Sequence, residues 1–202
     1  MNITTIKQNS SYTEIINKSK FIAYSFCLQS FEQIDTFLQE TKQKYADATH
    51  ICYAYKFFGN EKAVDNGEPQ GTAGKPILEC IKKQNLSNVL VVVVRYFGGI
   101  KLGAGGLTRA YGNLAQKVIA ISDTKQIFEC KKIEFCLPIT ESKKLTYLSN
   151  MYDIFEPKFE YGQVIKITLY CQTNQVEQTA QKIESIFSQK INFEVSEQVF
   201  LI

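Results

Sequence analysis

Val89-Leu90-Val91-Val92-Val93-Val94, running directly into Arg95-Tyr96-Phe97-Gly98-Gly99-Ile100-Lys101-Leu102-Gly103-Ala104-Gly105-Gly106-Leu107-Thr108-Arg109, is the stretch on which the fold turns. Six apolar residues in a row, four of them consecutive valines, read as a strand covered on both faces. Five of the eleven glycines then fall within residues 98–106. Downstream, Leu107, Tyr111, Leu114, Val118 and Ile121 recur at i, i+4, i+7, i+11 and i+14, the pattern of an amphipathic helix. Glycine-dense backbone lets amide N–H groups converge, and a following helix adds partial positive charge at its first turn. The chemistry expected of this stretch is anion recognition.

Working back from it, Ile3 to Lys7, Tyr12 to Ile16 and Lys20 to Leu28 are rich in β-branched and aromatic residues and broken by Asn9-Ser10-Ser11 and Asn17-Lys18-Ser19, so they read as strands. Phe31, Ile34, Leu38 and Tyr45 argue for a helix over Phe31 to Tyr45, and His50 to Phe58 alternates as another strand. Gly59 to Gly74 is too polar for a core element and reads as a long loop, the kind that tends to be functional or mobile. Pro76 then suits the first turn of a short helix carrying Ile77, Leu78 and Ile81. Beyond Lys131 the expected order is strand Lys132 to Pro138, helix Glu141 to Tyr152, strands Ile154 to Tyr161 and Gln163 to Cys171, helix Gln175 to Ser188 and strand Ile191 to Leu201. That βαββαβ order is the one of a ferredoxin-like unit. The class is therefore α+β with two domains, residues 1–130 and 131–202, joined without a flexible linker.

Composition bounds the function. With 45% hydrophobic residues over 202 positions the chain can bury one large core or two small ones. The net charge of +3 divides unevenly: residues 1–130 hold 15 Lys/Arg against 11 Asp/Glu, and residues 131–202 hold 8 against 9. An anionic partner should meet the first part. Six cysteines without a Cys-x-x-Cys pair or a Cys/His cluster read as small buried hydrophobes in a reducing compartment. No basic segment followed by an apolar signal core opens the chain, and no apolar run approaches the ~18 residues of a membrane span, so a cytoplasmic protein is expected.

Several chemistries lack their residues. His50 is the sole histidine, and no Gly-x-Ser-x-Gly elbow or cysteine-protease signature is present. A buried, satisfied imidazole is the plainer reading of His50, with a binding role the sharper one. Asp47, Asp65 and Glu68 could offer oxygen ligands, but their spacing specifies no geometry, and a solvated acidic loop is the plainer reading; no metal and no cofactor are expected. Gly71-Thr72-Ala73-Gly74-Lys75 fails as a phosphate-binding loop of the ATPase type because Pro69 and Pro76 occupy two of its required positions. Gly-x-Gly-x-x-Gly starting at Gly103 and Gly105 fails at Thr108. Two glycine loops remain, Gly67 to Gly74 and Gly98 to Gly106, each ahead of a helix and each with lysine. Their glycines could serve only tight turns and close packing. Alternatively, Arg95, Lys101, Arg109 and Lys75 surround helix N-termini that accept phosphate, with Tyr96 and Phe97 free to stack on a base.

At these residues the chain resembles the IMPACT family, called the YigZ family in bacteria. Asp65-Asn66-Gly67-Glu68-Pro69-Gln70-Gly71-Thr72-Ala73-Gly74-Lys75-Pro76-Ile77-Leu78 and the run from Val92 through Arg95, Gly98, Gly99, Lys101, Gly103, Gly105, Gly106 and Arg109 to Tyr111 carry the resemblance, and Ala48 and His50 fit its Ala-x-His segment. Asn66 stands where the family pattern has a second aspartate. The resemblance implies a first domain similar to the fourth domain of elongation factor G and a second similar to its ferredoxin-like fifth. It also implies translational regulation, which for a bacterial member becomes association with RNA or ribosomes. The binding set it suggests is Arg95, Tyr96, Phe97, Gly98, Gly99, Lys101, Gly103, Gly105, Gly106, Arg109, Lys75, Gly71, Gly74, His50, Asp65 and Glu68.

The expectation is therefore a non-enzymatic regulator that meets phosphate groups of RNA or the ribosome, with a protein partner in translation as a further candidate. An enzyme using His50 with Asp65 or Glu68 on a small anionic or peptide substrate is the alternative. A protein-interaction module is a third reading. Oligomeric state stays open.

Overall fold

The computed structural model describes residues 2–202. The chain is mixed α+β with two sheets, and its residues divide into two compact units, one over Ile3–Gln126 and one over Ile127–Ile202. The first carries β1 (Asn2–Ile6), β2 (Ser10–Ile16), β3 (Ser19–Cys27), α1 (Glu32–Lys44), β4 (His50–Phe57), β5 (Asn60–Val64), α2 (Gly74–Lys83), β6 (Val89–Tyr96) and α3 (Gly103–Ala120). Its sheet runs β2-β3-β6-β4-β5, antiparallel throughout.

The valine strand β6 is central, and its two faces go to two cores. Val91 and Val93 pack with Ile77, Ile81, Leu107, Tyr111 and Leu114 of α2 and α3. Leu90, Val92 and Val94 pack with Ile34 and Leu38 of α1. A strand apolar at every position is what a sheet covered on both sides requires. Asn17 and Lys18, at φ of 46° and 64°, close the tight β2–β3 hairpin, since a two-residue loop that follows the strand twist needs positive φ at both positions.

Three features of this unit differ from the sequence expectation. β6 does not stop at Val94 but takes in Arg95 and Tyr96, because their backbones pair with Phe21 and Lys20 on one side and Arg95 with His50 on the other. α3 starts at Gly103, so four residues assigned to the glycine loop form its first turn. Asn60–Val64, inside the expected long loop, is an edge strand on β4. Its side chains are exposed from Asn60 to Ala63, so no hydrophobic period betrays it, as suits a sheet edge kept polar.

The second unit contains most of β7 (Thr124–Pro138), then a 3-10 turn over Ile139–Lys144, α4 (Leu145–Ser149), β8 (Ile154–Tyr161), β9 (Val164–Gln172), α5 (Val176–Phe187) and β10 (Glu194–Leu201). Its strands lie in the order β10-β7-β9-β8, all antiparallel. Alternation in β9 buries Ile165, Ile167, Leu169 and Cys171, which meet Ile183 and Phe187 of α5. The helix expected over Glu141–Tyr152 is only a 3-10 turn and a five-residue α4: Leu145 and Leu148 are the buried positions there, one turn's worth of apolar contact. Nor are the cysteines uniformly buried. Cys52, Cys130 and Cys171 are, Cys27 and Cys80 are partly covered, and Cys136 is exposed, because it points to the open face of β7. Among the described residues no helix is long and apolar enough to cross a membrane.

Candidate functional site

The residues singled out by sequence converge on the first unit, and Glu68 is the group they share. It sits in the segment between β5 and α2, and its side chain is 3% exposed. Its Oε1 accepts from Arg95 Nη1 at 2.6 Å and from the Tyr111 hydroxyl at 2.8 Å, while His50 Nε2 stands 3.9 Å from its other oxygen. Arg95 is therefore not a loop cation offered to ligands. It is a strand residue, 5% exposed in its side chain, neutralised by a carboxylate and further bonded through Nη2 to the Ser19 hydroxyl at 3.2 Å. A buried charge demands such a partner, since desolvation of a lone ion costs several kcal/mol. Glu68 likewise corrects the reading of a solvated acidic loop.

Asp65 performs a second task. Its Oδ2 accepts from the amide of Gly71 at 2.8 Å, and its Oδ1 from those of Ala73 at 3.0 Å and Gly74 at 2.8 Å. Burial works to raise the acidity constant of this carboxyl, but the three amides outweigh it and hold it below the ordinary value. The amides of the first glycine loop, expected to cradle a phosphate, are thus filled by the chain's own carboxylate. Asp65 is equally removed from any acid-base role. Lys75 also leaves the constellation: it is exposed at the start of α2 and lines a separate groove of about 580 Å3 between α2 and α3, with Gly71, Glu79, Lys83 and Gln116.

The second loop is different. Phe97 N–H donates to the Thr49 hydroxyl at 3.0 Å and Gly98 N–H to that of Ser19 at 3.3 Å. A Cβ at Gly98 would lie 1.9 Å from the Lys18 carbonyl oxygen, so glycine is required where this loop passes the β2–β3 hairpin. Gly103, at φ +71°, then turns the chain into α3. No side chain caps this 18-residue helix, and no acidic residue stands in its first turn. Its first amides have no intrahelical partner by construction. They border a cavity of about 380 Å3 whose walls include His50, Arg95, Phe97, Lys101, Gly103 and Ala104.

Around this cavity Lys101 is exposed, Phe97 is 46% exposed, and the Arg95 guanidinium lies 5.3 Å from the Phe21 ring and 5.5 Å from that of Phe97. Tyr96 is engaged elsewhere, its hydroxyl donating to Asp47 at 2.8 Å. Gly99, Gly105 and Gly106 lie along the loop and first turn, and Arg109 is exposed on α3 away from the cavity lining. His50 is partly exposed, with Nδ1 3.1 Å from the Asn66 carbonyl. A carbonyl only accepts, so Nδ1 carries the proton and Nε2 faces Glu68.

Two participants were not singled out as site residues. Tyr111 was identified only as a core position of α3, yet its hydroxyl bonds Glu68; Cys52, on β4, places its thiol 2.8 Å from the Asp65 carbonyl. Burial pushes that thiol up to about 12, so it is no nucleophile, and burial likewise raises the Tyr111 phenol. A tyrosine on an apolar helix face is the one signal that hinted at a polar partner inside.

Comparison with known proteins agrees with these motifs. The family model of the Impact N-terminal domain matches residues 17–119. The IMPACT family member YvyE of Bacillus subtilis is 47% identical over 111 residues, 54% of this chain and 51% of that protein, so the match spans about half its length. An IMPACT family member of Haemophilus influenzae is 32% identical over 179 residues, 86% of this chain and 76% of the other. A crystal structure described as that of a hypothetical protein superimposes with a TM-score of 0.68 at 24% identity, over 98% of both chains, which is a likeness of fold.

Proposed function

This chain belongs to the IMPACT family, and from that premise we propose that it is a non-enzymatic, translation-associated regulator that meets phosphate groups of RNA or the ribosome at the second glycine loop. The observation that carries the proposal is the start of α3: uncapped, free of acid in its first turn, flanked by exposed Lys101 and opening on a cavity. An N-terminus of this kind attracts anions through its amides and its dipole. The first loop drops out of the binding surface, because Asp65 already occupies its amides.

The proposed organisation keeps an elongation-factor-like first domain over residues 1–130 and a ferredoxin-like second over 131–202; the compact units and the β10-β7-β9-β8 strand order support it. A cytoplasmic location and a protein partner in translation belong to the same proposal. The hydrolase reading is weaker, since Asp65 is held by amides and Glu68 by Arg95 and Tyr111.

Co-sedimentation with ribosomes at low salt tests the proposal. Lys101→Glu with Arg109→Glu, both exposed and without a structural partner to lose, should release the protein, and added salt should weaken wild-type binding steeply. Arg95 is left intact because its removal would disturb the fold. Undiminished sedimentation of the folded double variant would refute the proposal.

A further inference from the structure

Resting on that reading, we infer that the cavity at the α3 N-terminus takes a single nucleoside monophosphate unit, free or at the end of an RNA chain, rather than the passing backbone of a long strand. Three independent observations meet there. The first is the set of uncapped amides of Gly103 and Ala104 on the cavity wall, with the Lys101 ammonium beside them. The second is Arg95. Its side chain is among the most buried in the lining, and its Nε makes no hydrogen bond although Nη1 and Nη2 are both bonded. Buried polar atoms are nearly always satisfied, and an orphan donor facing a cavity marks where an acceptor belongs. The third is Phe97, half exposed and held edgewise against the same guanidinium, which offers a ring for a base at the rim.

Size and depth select the ligand. A volume of about 380 Å3 lies at the small end of the range for small-molecule sites, roughly 300–1,000 Å3. It suits one nucleotide and excludes a duplex. A donor buried as deeply as Arg95 Nε is reached by the end of a molecule, whereas an internal phosphodiester has chain leaving on both sides. Glu68 also borders the cavity, but its charge is met by Arg95 at 2.6 Å, so the site's remaining charge is the cation Lys101 and the helix amides. A terminal phosphomonoester, with more charge and more acceptor oxygens than a diester, gains most from that arrangement.

The test is fluorescence polarisation of the full chain with a 3′-labelled single-stranded 10-mer RNA bearing either a 5′-phosphate or a 5′-hydroxyl, with adenosine monophosphate and inorganic phosphate as competitors. The expected result is at least a tenfold preference for the phosphorylated end, and competition by adenosine monophosphate at a concentration at least tenfold lower than inorganic phosphate. Ala104→Asp places a carboxylate on the cavity wall at an exposed position where acids suit a helix start, so the fold is retained, and it should erase the preference. Phe97→Ala should bring the two competitors to within about threefold of each other. Equal binding of both RNAs, or a preference that survives Ala104→Asp, would overturn the inference. Salt-sensitive binding that ignores the end group would do so while leaving the broader proposal standing. Loss of all RNA and ribosome binding would remove both.

Discussion

Replacing Arg95 with methionine removes a charge from the interior and leaves Glu68 behind. At an effective dielectric of about 20, unit charges 2.6 Å apart attract by about 6 kcal/mol, and the cost of desolvating both ions cancels most of that. The pair as a whole is nearly neutral for stability, but half of it is not. With its partner gone, Glu68 keeps only the Tyr111 hydroxyl and a histidine at 3.9 Å, at 3% exposure. A carboxylate stranded in this way costs about 3–5 kcal/mol, a large share of the ~5–15 kcal/mol that holds a domain together. The chain has no tryptophan and contains two compact units, so bulk spectroscopy would mix two transitions. Native-state amide exchange of Val91 to Val94, fully buried in β6, reports the first unit alone. Arg95→Met should lower the opening free energy of those amides by about 3–5 kcal/mol. Adding Glu68→Leu and Tyr111→Phe, which removes the stranded carboxylate and the hydroxyl that served it, should recover all but about 1–2 kcal/mol. A loss below ~1 kcal/mol in Arg95→Met, or no recovery in the triple variant, would show that the ion pair is not what is satisfied at this position.

Asp65→Asn should destabilise the segment before α2 by about 1–3 kcal/mol, read as faster exchange of the Gly71, Ala73 and Gly74 amides. Because the folded carboxyl lies below its ordinary value of 3.8, this contribution is complete above that pH and is lost as pH falls through the folded value; wild-type exchange at those amides should accelerate only below about pH 4. Gly105→Ala, with open space around its Cβ, should stabilise by about 0.5–1 kcal/mol in thermal melts, whereas Gly98→Ala should be strongly destabilising because its Cβ would meet the Lys18 carbonyl. In alkylation followed by mass spectrometry at pH 8, exposed Cys136 should react at least tenfold faster than Cys52, whose thiol is pushed up to about 12.

Much of this was written locally in the chain. The valine run, the amphipathic period of α3 and the Asn17-Lys18 turn are patterns of neighbours, and local physics is enough to read them. Arg95 was misread because a cation beside two glycines reads as loop, and the carboxylate that lets it enter the sheet lies 27 residues upstream. The edge strand β5 hid because its exposed side chains carry no period, and α4 was overextended because its polar approach turns as a 3-10 segment. The Asp65 bonds were in principle legible, since aspartate ahead of a glycine-rich turn commonly accepts nearby amides. The glycines drew attention to what the amides lacked rather than to what already filled them.

The uniformity of β6 has an implication for how the sheet assembles. A strand with alternating character is locked against sliding, because a slip by one residue turns its apolar side outward. Four consecutive valines supply no such vernier: moved by one position or two, they would still present valine to both helical layers. The alignment must then be fixed at the strand's end, where Arg95 finds Glu68 and Ser19, and Gly98 slips past the Lys18 carbonyl. The guanidinium thus serves as an index mark on an otherwise featureless ruler, and a chain lacking it would be expected to sample shifted pairings before settling.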